Sequence, residues 1–261
     1  LAAVRILVSN DDGISSPGLA ALAEAMQPLG EVWVVAPDRE QSAASHALSL
    51  HRPLRMKKVK ERWYSVDGTP SDCSYLAVNH LLKDGRPALM VSGINTGPNL
   101  ADDVTYSGTV AAAMEASILG VPAAIAFSLA SRQSLEFGGA ARFAFALAKA
   151  TLAAPSKGRL LLNVNVPAGV EPDGYQVTRL GRHSWGMDVI EKADPRGRPY
   201  YWIGGTNYTH EDIPGSDCNA VHKSKLVSVT PLHLDLTEDA TFGALRALAL
   251  TGFSQVDGPT R

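Results

Sequence analysis

Two adjacent aspartates, Asp11 and Asp12, follow the apolar run Val4, Ile6, Leu7, Val8 and precede Gly13. Like charges side by side repel, and a divalent cation relieves that repulsion, so the pair reads as part of a metal site. The plainer reading is a turn, in which Asn10 and the aspartates bond locally and Gly13 supplies a positive φ. Two later stretches favour the metal. Ser42 comes soon after the apolar run EVWVVAP (31–37), and Asn95 and Asn99 follow the run PALMV (87–91) in SGINTGPNL. Carboxylates from Asp11 and Asp12, the Ser42 hydroxyl and an amide oxygen from Asn95 or Asn99 suit one hard ion, Mg²⁺ or Mn²⁺. They do not suit structural zinc, which prefers Cys and His. So few protein ligands leave coordination positions for water and a substrate oxygen.

A second component lies at Tyr106-Ser107-Gly108-Thr109, the start of an Ala-rich segment. The first amides of a helix are unpaired and its dipole favours anions, so Ser107, Gly108 and Thr109 are candidate phosphate contacts, with Asn99 of the preceding polar loop as a fourth. A simple N-cap role for Ser107 is the alternative. Metal loop and anion cradle together imply hydrolysis of a phosphate monoester by a metal-bound water, with Asp11, Asp12 and Ser107 as the catalytic set. A covalent aspartyl-phosphate on Asp11 ranks lower, because the two aspartates are adjacent and not alternating. His46 is the histidine nearest the proposed site and a candidate acid for the leaving group.

These residues need a scaffold that brings distant loops to one edge. Short β-branched runs alternate with helical patterns through the first 155 residues. A helix starts at Ser16-Pro17. Thr69 and Asp72 form a capping box opening a helix through Leu82. Further helices are expected over 109–119, 137–153 and 238–250, and a hairpin within 51–66. The pattern predicts a Rossmann-like α/β fold, a mostly parallel sheet with helices on both faces. Residues 1–155 form the core carrying the metal site. Residues 156–261 add the strand LLLNVNVP, a β-rich arm over about 183–222, a return strand and a terminal helix. The arm has no obvious core of its own and is expected to pack against another subunit.

Composition narrows the function further. With 261 residues, 45% hydrophobic content and a net charge of −2, the chain can bury a large core and offers no strongly basic surface. Lys57, Lys58, Lys60 and Arg62 read as a solvated strand face, so no nucleic acid polymer is expected as a partner. Cys73 and Cys218 make no disulfide framework, and the most apolar stretch is broken by Glu115, Gly120 and Pro122. A cytoplasmic protein with no membrane partner is expected. Gly13 and Gly18 have the spacing of a P-loop, but Leu19-Ala20 replace its Lys-Ser/Thr, and neither a dinucleotide fingerprint nor a GxSxG elbow is present.

Six motifs in order, ILVSNDDGISSPGL, VVAPDREQSAAS, DGTPSDCSYLA, VSGINTGPNL, DDVTYSGTVAAAMEA and VSVTPLHLDLT, resemble those of the SurE-type stationary-phase survival proteins. The resemblance runs from Val4 to about Thr237. It implies a metal-dependent phosphatase acting on nucleoside 5′- and 3′-monophosphates, and on short polyphosphate. It also implies one divalent cation per subunit, held by Asp11, Asp12, Ser42 and Asn95. It further implies that the arm, including DPRGRPYYWIGG, exchanges between subunits to make a homodimer or homotetramer. Ala43 departs from the pattern, since the family usually has Gly after the metal-binding serine, and Ser216-Asp217-Cys218 replaces a commoner Thr-Asp-Phe.

Overall fold

The computed structural model describes residues 4–131, 133–154, 158–169, 172–185, 189–203, 208–248, 251, 254 and 256. The chain opens with β1 (Arg5–Ser9), then α1 (Pro17–Met26), β2 (Glu31–Pro37), the hairpin β3 (Met56–Lys60) and β4 (Trp63–Val66), and α2 (Pro70–Leu76). It continues through β5 (Leu89–Thr96), α3 (Gly108–Ile118), β6 (Ala123–Ala130), α4 (Gly138–Ala153), β7 (Leu160–Pro167) and β8 (Tyr175–Val177). Then come β9 (His183–Trp185), β10 (Val189–Ala193), β11 (Pro199–Ile203), β12 (Tyr208–His210), α5 (Asp217–His222), β13 (Val227–Pro231) and α6 (Phe242–Arg246).

Nine strands form one sheet in the order β3-β4-β2-β1-β5-β6-β7-β13-β8. β4, β2, β1, β5, β6 and β7 run parallel, whereas β3 and β13 run antiparallel to their inner neighbours. Both faces are covered, which is why the inner strands are apolar without alternation. On one face Leu19, Leu22 and Met26 of α1 and Ala140, Ala144 and Ala148 of α4 pack against Ile6, Val8, Val91 and Phe127. On the other, Cys73, Val110, Ala113 and Ala116 of α2 and α3 pack against Leu7, Val35, Met90 and Ala124. The α/β expectation holds, and β7, β13 and β8, all beyond residue 155, complete the same sheet.

Two helices differ from expectation. The Thr69–Asp72 capping box is present, but the helix it opens widens after Leu76, where Leu82 N–H donates to Ala77 O across five residues. The segment expected as a helix over 238–250 contains a 3₁₀ turn, Asp239–Thr241, and the short α6; residues 249 and 250 lie outside the described ones. Its large apolar groups Phe242, Leu245 and Leu248 are exposed, so no packed face prolongs the helix. The arm is a hairpin with a base of β9 and β12 and a tip of β10 and β11, closed by a turn through Pro195 and Gly197.

Candidate active site

Three loops leave the carboxyl ends of the parallel strands β1, β2 and β5. Strand order reverses between β2 and β5, at β1, where open α/β sheets bind ligands. A cleft of about 680 Å³ opens there, lined by Asp11, Asp12, Glu40, Ser42, Ala43, Asn95, Thr96, Gly97, Pro98, Asn99, Asp103, Tyr106 and Ser107. The structure thus brings the four expected metal ligands to one cavity. It also brings Asn99 and Ser107 there, but neither Gly108 nor Thr109.

Each ligand loop is fixed by its own bonds. Asn10 makes a reciprocal pair with Gly13, donating to its carbonyl at 3.0 Å and accepting from its amide at 3.2 Å. That turn projects Asp11 and Asp12 forward. The Ser42 loop is tied down by Gln41 N–H to Asp11 O at 2.8 Å and by Ser45, whose hydroxyl donates to Thr105 O at 2.8 Å. Ser42 itself donates to Glu40 at 2.6 Å. In β5 the pairing with β6 slips between Ser92 and Asn95, at Gly93, whose φ is +126°. A β-carbon at Gly93 would stand 2.2 Å from Phe127 O, so only glycine permits the slip that re-aims Asn95. The Asn95 amide nitrogen donates to Gly97 O at 2.8 Å, so its oxygen is the atom a cation could use.

Asn99 is held from beneath. Its amide N–H donates to Asn165 Oδ1 at 2.8 Å, and its carbonyl accepts from both Asn163 and Asn165 of β7. These two asparagines lie two apart on one face of a buried strand and are fully buried. The alternation in LLLNVNVP was the signal for them, read in the sequence only as a strand.

At the start of α3 the structure shows internal bonds for the expected phosphate contacts. Ser107 is the N-cap, its Oγ accepting from Val110 N–H at 3.1 Å. Thr109 is fully buried and its hydroxyl donates to Asp11 Oδ1. A β-carbon at Gly108 would sit 2.7 Å from the Cβ of Asp11 and 3.0 Å from its Oδ2. The Asp11 carboxylate therefore packs directly against Gly108 and Thr109, so no residue larger than glycine fits at 108.

The carboxylates are electrostatically strained. Burial pushes Asp11 up from the ordinary carboxylate range, opposed chiefly by the Thr109 hydroxyl. Burial, then the charge of Asp11, raises Asp12 to about 6, against a hydrogen bond from the Thr96 backbone. Asp12 Oδ2 is buried without a hydrogen-bond partner among the described residues. Glu40 and Asp103, not singled out in the sequence, bring the lining carboxylates to four, and no Lys, Arg or His is among the lining residues. Among the described residues no three His, Cys, Asp or Glu side chains gather as a metal cluster, so a cation here would draw on the hydroxyl and amide oxygens as well. An all-oxygen set with one orphaned, buried carboxylate oxygen fits a hard divalent ion.

His46 lies outside the cleft lining and bonds through Nε2 to Glu115 Oε2 at 2.7 Å. His183, expected at the surface or in packing, has a buried side chain that bonds to Asp103 at 3.2 Å. Ala43 has φ +57°, the left-handed region that glycine enters freely.

A family model described as Survival protein SurE matches residues 6–187. The chain belongs to the SurE family. It is 66% identical over 251 residues to the 5′-nucleotidase SurE of Myxococcus xanthus (strain DK1622), covering 96% of this chain and 95% of that protein. It is 58% identical over 257 residues to the 5′-nucleotidase SurE of Anaeromyxobacter dehalogenans (strain 2CP-C), covering 98% and 100%. The crystal structure of the SurE protein from Aquifex aeolicus superposes with a TM-score of 0.81 at 41% identity, covering 93% of this chain and 98% of that one.

Proposed function

We propose that this SurE chain hydrolyses nucleoside 5′- and 3′-monophosphates, and short polyphosphate, with one divalent cation per subunit, Mg²⁺ or Mn²⁺, held by Asp11, Asp12, Ser42 and Asn95. The relatives' name, 5′-nucleotidase, supports the reaction class. The observation that carries the metal is the charge of the cleft, four carboxylates with no basic side chain among the lining residues. A phosphate dianion is repelled by such a wall unless a cation stands between them. When bound, the cation supplies charge neutralisation at the phosphoryl oxygens and lowers the pKa of a water, the candidate nucleophile.

The protein's own groups complete the reading. Ser107 Oγ accepts from Val110 N–H, so its proton remains to donate to a phosphoryl oxygen. One N–H of the Asn99 side chain is spent on Ser128 Oγ at 2.8 Å, and the other is left for the same purpose. Asp12 is a ligand whose ionisation is costly to maintain without a counter-charge, because its Oδ2 has no internal donor among the described residues. The test is phosphate release from AMP with and without full chelation. Activity that survives chelation rejects the reading, and Asp12→Asn is expected to lower turnover by at least about 10²-fold with an intact fold, the scale of losing a principal charge-stabilising group.

We also propose that the arm joins subunits into a homodimer or homotetramer in the cytoplasm. Tyr201, Trp202 and Ile203 on β11 and Val189 and Ile190 on β10 are exposed, with Ile203 at 91%. Such a two-faced aromatic ribbon is poorly suited to water. Both cysteines are free and buried, in keeping with a reducing compartment, and no helix among the described residues is long and apolar enough to cross a membrane.

A further inference from the structure

We propose that Glu115 is a positioning residue for the metal site, acting through His46 on the loop that carries Ser42. This inference rests on the metal reading above. Glu115 lies in the Ala-rich interior of α3, where its side chain is 6% exposed, among Ala112, Ala113 and Ala116 on the buried face. A carboxylate there is expensive to bury unless a partner meets it. The partner is His46 Nε2 at 2.7 Å, reaching in from the loop that follows β2.

That loop needs an external brace. Ser42 and Ala43 are exposed, and Ala43 and Ser45 both sit at positive φ, +57° and +53°. Chain in this conformation does not hold its shape by local preference. One fastening, Gln41 N–H to Asp11 O, joins it directly to the Asp11 loop, and the next ones along the chain lead to one place. Ser45 N–H and Oγ–H donate to Tyr106 O and Thr105 O just before α3, and His46 bonds to Glu115 within it. The first turn of the same helix holds the other ligand loop, through the Thr109 hydroxyl on Asp11. Thus α3 is a common frame. Thr109 registers Asp11 to it and Glu115 registers the Ser42 loop to it, so this rigid element reinforces the spacing that the direct Gln41–Asp11 bond sets between the two ligand loops. His46 accordingly serves as the link in this brace, in place of the leaving-group acid considered from the sequence.

The test measures Mn²⁺ affinity by electron paramagnetic resonance of the free ion, with thermal melting as a control for folding. Wild type, Glu115→Gln, Ser42→Ala and the double variant are compared. Glu115→Gln is expected to weaken Mn²⁺ binding about tenfold, as loss of an outer-sphere support does. Ser42→Ala is expected to do the same, and adding Glu115→Gln to it to cost nothing more. Should Glu115→Gln fail to fold, His46→Gln, a change at a half-buried loop residue, carries the same expectation. Unchanged affinity in the Glu115 or His46 variant overturns the proposal, as does full additivity with Ser42→Ala, which marks a general loosening of the fold. Wild-type protein that binds no Mn²⁺ overturns the metal reading itself and this proposal with it.

Discussion

Replacing Thr109 by Val separates two roles that the sequence leaves together. If the hydroxyl serves Asp11, as the structure places it, its loss strikes a carboxylate with a relative exposure of 4%. A hydrogen bond to a buried charge contributes about 1.5–3 kcal/mol, and Val fills the same space without a donor. For a chain of this size roughly 2 kcal/mol lowers the melting temperature by about 4–8 °C. The loss has a pH signature. The bond favours ionised Asp11, whose folded pKa is raised by burial, so the gap between the two proteins is full at high pH and closes as Asp11 takes up its proton. Melting both proteins in chelator from pH 5 to 8, with AMP hydrolysis measured alongside, gives the assay. Metal affinity is expected to fall about tenfold in the variant, and Thr109→Ser to recover most of it. A variant that melts with wild type and shows only a raised KM for AMP would refute this reasoning and restore Thr109 as a phosphate donor.

Further expectations follow from single observations. Asp12, raised to about 6 from 3.8, favours the metal-free fold at low pH, a contribution fully present below 3.8 and lost as pH rises through 6. A proton and the cation compete for it, so Mn²⁺ affinity by calorimetry should rise about tenfold from pH 5 to 7 and then level; a flat profile counts against Asp12 as a ligand. Ala43→Gly relieves a left-handed residue that costs about 1–2 kcal/mol, offset in part by a more flexible unfolded chain. A net gain of about 0.5–1 kcal/mol in urea unfolding is expected, and any loss of stability refutes it. Asp217→Ala strips the acceptor from the amides of Ala101, Gly181 and Cys218, and should cost at least about 3 kcal/mol in the same assay. Trp202→Ser in the arm is expected to lower the oligomeric mass seen by light scattering without touching AMP hydrolysis by the protomer.

What the sequence reveals and hides here divides along a physical line. Strand-to-loop boundaries are legible because an apolar run ending in Asp, Ser or Asn announces both the end of burial and the start of a polar edge. Asp11, Asp12, Ser42 and Asn95 were found that way, and all line one cleft. Roles that depend on which neighbour arrives were not legible. That Gly108 packs against the Asp11 carboxylate is seen only in the structure. Glu115 reads in the sequence only as a break in an apolar stretch, because nothing local says that His46 reaches it from a distant loop. The same holds for Asn163 and Asn165, whose polar function depends on a loop that is remote in sequence. The residues hidden from sequence are therefore those that hold the ligand loops. Oxygens from separate motifs make a site only where a shared element holds their loops, as α3 holds those of Asp11 and Ser42, and the Glu115 and Thr109 variants test that step.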